Sequence, residues 1–267
     1  MFVASSVVGG PLERSPAPPA RATVAADSPP AWAAEVVSSN IVGYNKVTLQ
    51  PGLAMLGNSF QTVGAETPEL DISALSAEGL SGGDMVRFWN GTSFENINYY
   101  GEDDDGGVYT DDTYETCLGP GWGDDNQVAV DYTIGSGVGF WLQNAAVATV
   151  TFAGEVPSVN TVSVRAGLTM VSSPIPLAVD IADITADNLQ GGDMARFWNG
   201  SSYENVNYYG EDDDGGVYTD DSYETCLGPG WGDDNQVAVS KTIDISQGFW
   251  IQAASSSTLT FPSLSNE

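Results

Sequence analysis

The residues best equipped for chemistry are carboxylates gathered in two stretches. Gly-Glu-Asp-Asp-Asp-Gly-Gly occupies 101–107 and recurs at 210–216. Asp111-Asp112 and Asp124-Asp125 follow the first copy, and Asp220-Asp221 and Asp233-Asp234 the second. Adjacent ionised carboxylates about 6 Å apart repel by roughly 0.7 kcal/mol even in water, and a hard cation relieves that repulsion. Ca2+ takes roughly six to eight oxygen ligands from carboxylates, carbonyls and amides. The expected ligands are Glu102, Asp103, Asp105, Asp111, Asp112, Asp124 and Asp125 in the first copy. In the second they are Glu211, Asp212, Asp214, Asp220, Asp221, Asp233 and Asp234. Three contiguous Asp without flanking helices are not the alternating pattern of a helix–loop–helix calcium loop. A solvated acidic turn that keeps β edges from aggregating is the competing account.

Aromatic residues crowd the same stretches, and most are expected in a β core. Tyr100, Trp122, Tyr209 and Trp231 are the expected exceptions. Adjacent tyrosines in a strand face opposite sides, and each Trp sits in a glycine-rich loop, so these four could stack on a sugar ring. Cys117 and Cys226 take equivalent positions and could form a disulfide or remain free thiols. Arg87 and Arg196, the lone cations of the acidic stretches, are expected to form structural ion pairs. Asn90-Gly91-Thr92 and Asn199-Gly200-Ser201 match the glycosylation sequon, but a hairpin role accounts for them without sugar.

Composition excludes much else. The 267 residues include 36 Asp+Glu, 7 Lys+Arg, no His and 2 Cys, for a formal charge of −29. Without His there is no Ser-His-Asp triad and no His-ligated metal, and two cysteines cannot build a four-cysteine zinc site. A chain this acidic repels phosphate, so nucleic acid is not an expected partner. Glycoside hydrolysis needs only a carboxylate pair, one with a raised pKa in an apolar setting. No acid here stands out that way, so a non-enzyme is expected, with a carboxylate-based hydrolase as the remote alternative. No apolar run is long enough for a membrane helix.

What positions these groups is a repeat. Residues 82–130 and 191–239 match at an offset of 109 with five conservative differences. The register continues through Gly139-Phe140-Trp141-Leu142-Gln143 and Gly248-Phe249-Trp250-Ile251-Gln252. So long a period fits tandem domains rather than a solenoid. The expected division is a leader or arm at 1–40, repeat 1 at 41–154 and repeat 2 at 155–267. Strands are predicted at Met85–Trp89 and Thr92–Tyr100, joined by Asn90-Gly91 as a type I′ turn with positive φ at both residues. Others are predicted at Ile41–Leu49, Leu53–Leu56, Val108–Thr110, Gln127–Val130, Gly139–Gln143 and Val147–Phe152. Short helical turns are predicted within Asp71–Leu80 and Asp180–Leu189. The fold expected is all-β: two homologous sandwich-like or barrel-like domains, with a proline-rich N-terminal segment that does not fold.

Ala31-Trp32-Ala33 before Ala34-Glu35 has the form of a signal-peptidase site, although no apolar core precedes it. The Ile41–Leu49 segment, Gly-Leu-x-Met-Val-Ser-Ser-Pro at 167–174, Gly-Gly-Asp, Trp-Asn-Gly and Gly-Phe-Trp-x-Gln together resemble uncharacterised secreted bacterial proteins built from tandem β-rich repeats. The resemblance implies export to the cell envelope or beyond, and no activity. The functional expectation is a non-enzymatic extracellular structural or self-assembling protein with Ca2+-stabilised loops. The alternative is a carbohydrate-binding module or adhesin whose partner is a surface glycan.

Overall fold

The computed structural model describes residues 41–101, 107–109, 119–211, 216–219 and 227–264. Residues 39–267 form one compact unit, and its described part is all-β, with strands predominantly antiparallel. Repeat 1 holds β1 (Val42–Leu49), β2 (Gly52–Gly57), β3 (Glu69–Asp71), β4 (Ser76–Glu78), β5 (Met85–Trp89), β6 (Phe94–Tyr100), β7 (Gly121–Gly123), β8 (Thr133–Gly135), β9 (Gly139–Asn144) and β10 (Ala148–Glu155). Repeat 2 repeats the order: β11 (Thr161–Val164), β12 (Gly167–Ser172), β13 (Val179–Asp180), β14 (Thr185–Ala186), β15 (Met194–Trp198), β16 (Tyr203–Tyr209), β17 (Gly230–Gly232), β18 (Thr242–Ile243), β19 (Gly248–Ala253) and β20 (Ser257–Thr260).

Each repeat pairs these strands identically. A five-stranded sheet runs β2-β9-β5-β6-β7, a three-stranded sheet β1-β10-β4, and β3 and β8 form a ribbon; β12-β19-β15-β16-β17, β11-β20-β14 and β13-β18 match them. Alternation dictates the packing. From the five-stranded sheet Leu56, Val86, Phe88, Ile97, Phe140 and Leu142 point into the core, where they meet Leu49, Val150 and Phe152 of the three-stranded sheet. The arrangement is sandwich-like. The predicted helical turns are single 3-10 turns, Ile72–Ala74 and Ile181–Asp183, capped by the Asp71 and Asp180 carboxylates. The described residues contain no helix long and apolar enough to cross a membrane.

The hairpin differs from the expected turn. Trp89 pairs with Phe94, so four residues connect the strands. Gly91 has φ 107°, whereas Asn90 is not among the positive-φ residues. The Asn90 side-chain carbonyl instead accepts from the Thr92 and Ser93 N–H groups. That local bonding outcompetes the two-residue turn. The register moves by two residues, so every side chain keeps its face.

The Asp of each Gly-Gly-Asp is buried and structural. Asp84 accepts from the Ser81 and Ala145 N–H groups, and Asp193 from those of Gln190 and Ala254. Each carboxylate ties the entry of β5 or β15 to the turn after β9 or β19.

The repeats are not beads on a linker. β2 and β9 lie against β12 and β19, and Met55, Trp141, Met170 and Trp250 form a third core with Trp89 and Trp198 packed on it. Backbones touch across the seam: Gly57 N–H donates to Ser246 O, and Ser172 N–H to Gly137 O.

Candidate ligand-binding site

Of the expected metal ligands, Glu102, Asp103, Asp105, Asp111, Asp112, Asp212, Asp214, Asp220 and Asp221 lie outside the described residues, as do Cys117 and Cys226. The described ones are occupied locally or exposed. Asp124 Oδ1 accepts from the Asn126 and Val128 N–H groups, and Asp233 Oδ1 from those of Asn235 and Val237. For Asp124, burial pushes the pKa up, but the Val128 and Asn126 hydrogen bonds outweigh it and hold the carboxyl below its ordinary value. For Asp233 the Val237 N–H is the leading cause of the same lowering. Asp125 accepts from Asn98, Asp234 accepts from Asn207, and Glu211 is exposed. Among the described residues no three acidic or cysteine side chains are grouped to hold a metal ion.

The expected sugar-stacking residues sit elsewhere than a surface platform. Trp122 and Trp231 lie on the short strands β7 and β17 and are buried. Their indole N–H groups donate to Leu75 O and Ile184 O, and their rings pack edge-on against Tyr99 and Tyr208 at 5.1 Å. Tyr100 and Tyr209 are half-buried, and their hydroxyls donate to Asp124 O and Asp233 O. Burial, ahead of the neighbouring acids, raises both tyrosine pKa values. The two tyrosines thus brace the acidic turns.

Sequence reasoning missed a different constellation. The outward faces of β5, β9, β15 and β19 are not polar: Met85, Arg87 and Trp89 alternate with core residues, as do Trp141 and Gln143, and the second copy matches. These faces turn toward each other across the repeat junction. Between them opens a cleft of about 350 Å3, lined by Leu53, Arg87, Phe94 and Trp141 of repeat 1 and their counterparts Leu168, Arg196, Tyr203 and Trp250 of repeat 2. Its size falls within the range of small-molecule sites.

The aromatic walls are fixed by cross-repeat contacts. Trp89 meets Trp250 edge-on at 5.8 Å, and Trp198 meets Trp141 at 5.6 Å. Trp89 Nε1 donates to Leu168 O at 2.9 Å and Trp198 Nε1 to Leu53 O at 3.0 Å. The copies then diverge. Trp250 Nε1 donates to the Tyr203 hydroxyl at 3.2 Å. The residue equivalent to Tyr203 is Phe94, and the Trp141 N–H has no hydrogen bond among the described residues.

Among the described residues the expected ion pairs of Arg87 and Arg196 are not formed. Arg87 Nη2 donates to Gln143 Oε1 at 2.6 Å, and its buried Nε has no partner among the described residues. Arg196 Nε points at the Met194 thioether, a weak acceptor. The ion pair among the described residues is Lys241–Glu204, and the cation over a ring is Lys241 on Phe197. The arginines face Trp141 and Trp250 across the β5–β9 and β15–β19 ladders, where no carboxylate competes for them. No protein-family model, no curated protein and no solved structure matches this chain.

Proposed function

We propose that this chain is a non-enzymatic binding protein of the cell exterior, and that the cleft between its repeats receives a sugar residue of a surface glycan. The carrying observation is the cleft wall itself. Four aromatic rings, Phe94, Trp141, Tyr203 and Trp250, line it from both repeats; Trp141 and Trp250 are largely buried, and the exposed Phe94 and Tyr203 rings are held against them, so the C–H face of a sugar ring can stack at little ordering cost. The exterior setting rests on the Ala31-Trp32-Ala33 pattern. Glycan-array binding followed by titration of tryptophan fluorescence tests the reading. Phe94→Ala and Tyr203→Ala are suitable variants because both rings are partly exposed at the cleft. Loss of glycan binding in folded variants supports the assignment. Unchanged affinity in both, or no glycan bound by the wild type, overturns it.

One observation favours self-association as a second role. β1 is a sheet edge, and its outer end exposes Ile41, Val42 and Tyr44. Exposed apolar edge strands pair with other chains. Sedimentation of the wild type against Tyr44→Lys would show concentration-dependent association only in the former.

A further inference from the structure

We infer that the cleft selects an acidic sugar, a ring carrying a carboxylate or sulfate group, which Arg87 and Arg196 read. This rests on the cleft being the glycan site and adds the class of ligand. The argument starts from the charge distribution. The chain carries 36 acids and 7 basic residues, yet two of those seven line one cleft, and no acid is among its described lining residues. At physiological salt, fields are screened over about 8 Å. The distant acids therefore matter less inside the cleft than the two guanidinium groups in its wall.

Neither arginine is ion-paired among the described residues. A guanidinium held beside aromatic walls loses hydration, and a buried donor without an acceptor is costly. Arg87 keeps one amide contact and a buried Nε without a partner. Arg196 keeps one thioether contact. The guanidinium groups in the cleft wall can take an anionic oxygen group, because the planar fork of a guanidinium matches carboxylate and sulfate oxygens bidentately. The remaining cleft donors are of the same sign. The Trp141 N–H makes no hydrogen bond among the described residues, and the Tyr203 hydroxyl accepts from Trp250, leaving its own proton to give. The cleft thus offers donors and ring faces, with no carboxylate to accept from neutral hydroxyls. A neutral sugar would find stacking but few acceptors; an acidic sugar finds both stacking and counterions.

The Phe94/Tyr203 difference adds polarity to an otherwise two-fold site. One half has a bare indole N–H and the other a hydroxyl, so a ligand with distinct ends has one preferred orientation.

The test is an array that pairs neutral glycans with uronate-bearing and sulfated forms of the same backbones, with calorimetry on the strongest binder. The wild type is expected to prefer the acidic member by roughly 10–100-fold, the scale of one or two charge-assisted hydrogen bonds. The uronate and sulfate arms distinguish which group is read. Arg196→Gln and Arg87→Gln are expected to erase that preference while residual binding to the neutral backbone persists. Arg196→Gln removes one weak thioether hydrogen bond, and near-ultraviolet circular dichroism checks its fold. Equal binding of neutral and acidic members, or an acidic preference that survives both substitutions, overturns the inference and leaves the glycan site standing. No binding to any member overturns both.

Discussion

Replacing Gly248 with alanine drives a carbon atom into the backbone of the other repeat. A Cβ built there would lie 2.3 Å from Leu56 O, 2.9 Å from Leu56 C and 3.2 Å from Leu56 N. Ordinary carbon contacts begin near 3.5 Å, so β2 and β19 must part by about 1 Å. The obstacle is main chain on both sides, so no rotamer change relieves it. Overpacking of this kind costs about 1–3 kcal/mol. Parting the seam also weakens the Gly57 N–H to Ser246 O and Trp198 Nε1 to Leu53 O bonds, each worth about 1 kcal/mol. The expected loss is about 2–4 kcal/mol, or a fall in Tm of about 5–15 °C for a unit of this size. Gly248 has no positive φ, so backbone strain does not confuse the reading. Urea unfolding followed by tryptophan fluorescence is the assay, with Gly101→Ala as control, since its added Cβ meets nothing nearer than 3.6 Å. A Gly248→Ala protein with a wild-type urea midpoint would refute the claim that the repeats share a close-packed seam.

Asp193→Ala leaves the Gln190 and Ala254 N–H groups without their acceptor and should cost roughly 2–4 kcal/mol in chemical denaturation; an exposed acid such as Asp183 mutated likewise should cost almost nothing. The Asp233 carboxyl is held below its ordinary pKa by the Val237 and Asn235 N–H groups. Its contribution is therefore present above the unfolded value near pH 4 and lost as pH falls through the lower folded value. Wild type should exceed Asp233→Asn in Tm by a degree or so at pH 7, and the gap should shrink as pH is lowered below about 4, the effect being small because the group is exposed. Burial, with Glu95 second, pushes the Tyr132 hydroxyl up to about 12. Its stabilisation is complete below pH 10 and fades as pH rises toward 12, so Tyr132 should ionise among the last in ultraviolet titration, and Tyr132→Phe should lower the late amplitude by one tyrosine. Calcium in place of chelator should raise the Tm if the acidic stretches bind it; an unchanged Tm would rule out a stabilising ion there.

The longer strands were legible because two independent signals agreed, whereas Gln127–Val130 and the described part of Val108–Thr110, also predicted as strands, form only isolated bridges. Met85–Trp89 and Gly139–Asn144 alternate core residues with others, and each pattern recurs 109 residues on. The 3-10 turns were legible from three-residue apolar spacing, and the structure adds the capping by Asp71 and Asp180. The hairpin's existence was legible but not its loop, since Asn90 had two ways to turn the chain and side-chain hydrogen bonding chose between them. Trp122 was misplaced because its flanking glycines suggested a loop. They serve instead to let β7 lie close: a Cβ on Gly123 would meet Val128 O at 3.0 Å and the Tyr100 ring at 3.1 Å.

The cleft had a trace in the sequence, in strands apolar on both faces. Phe88 and Phe140 already supply a core, so Trp89 and Trp141 on the opposite face require a second partner. The repeat also made it certain that any such face exists twice. Residue types, alternation and duplication, which are local properties of the chain, thus determined an all-β repeat with aromatic faces; that Arg87 and Arg196 form no ion pair among the described residues was not among them. That the two faces meet, enclose Arg87 and Arg196 and leave a cleft between them was decided only in three dimensions. It depends on which glycines let backbones from residues over a hundred positions apart come into contact, and no local pattern encodes that approach.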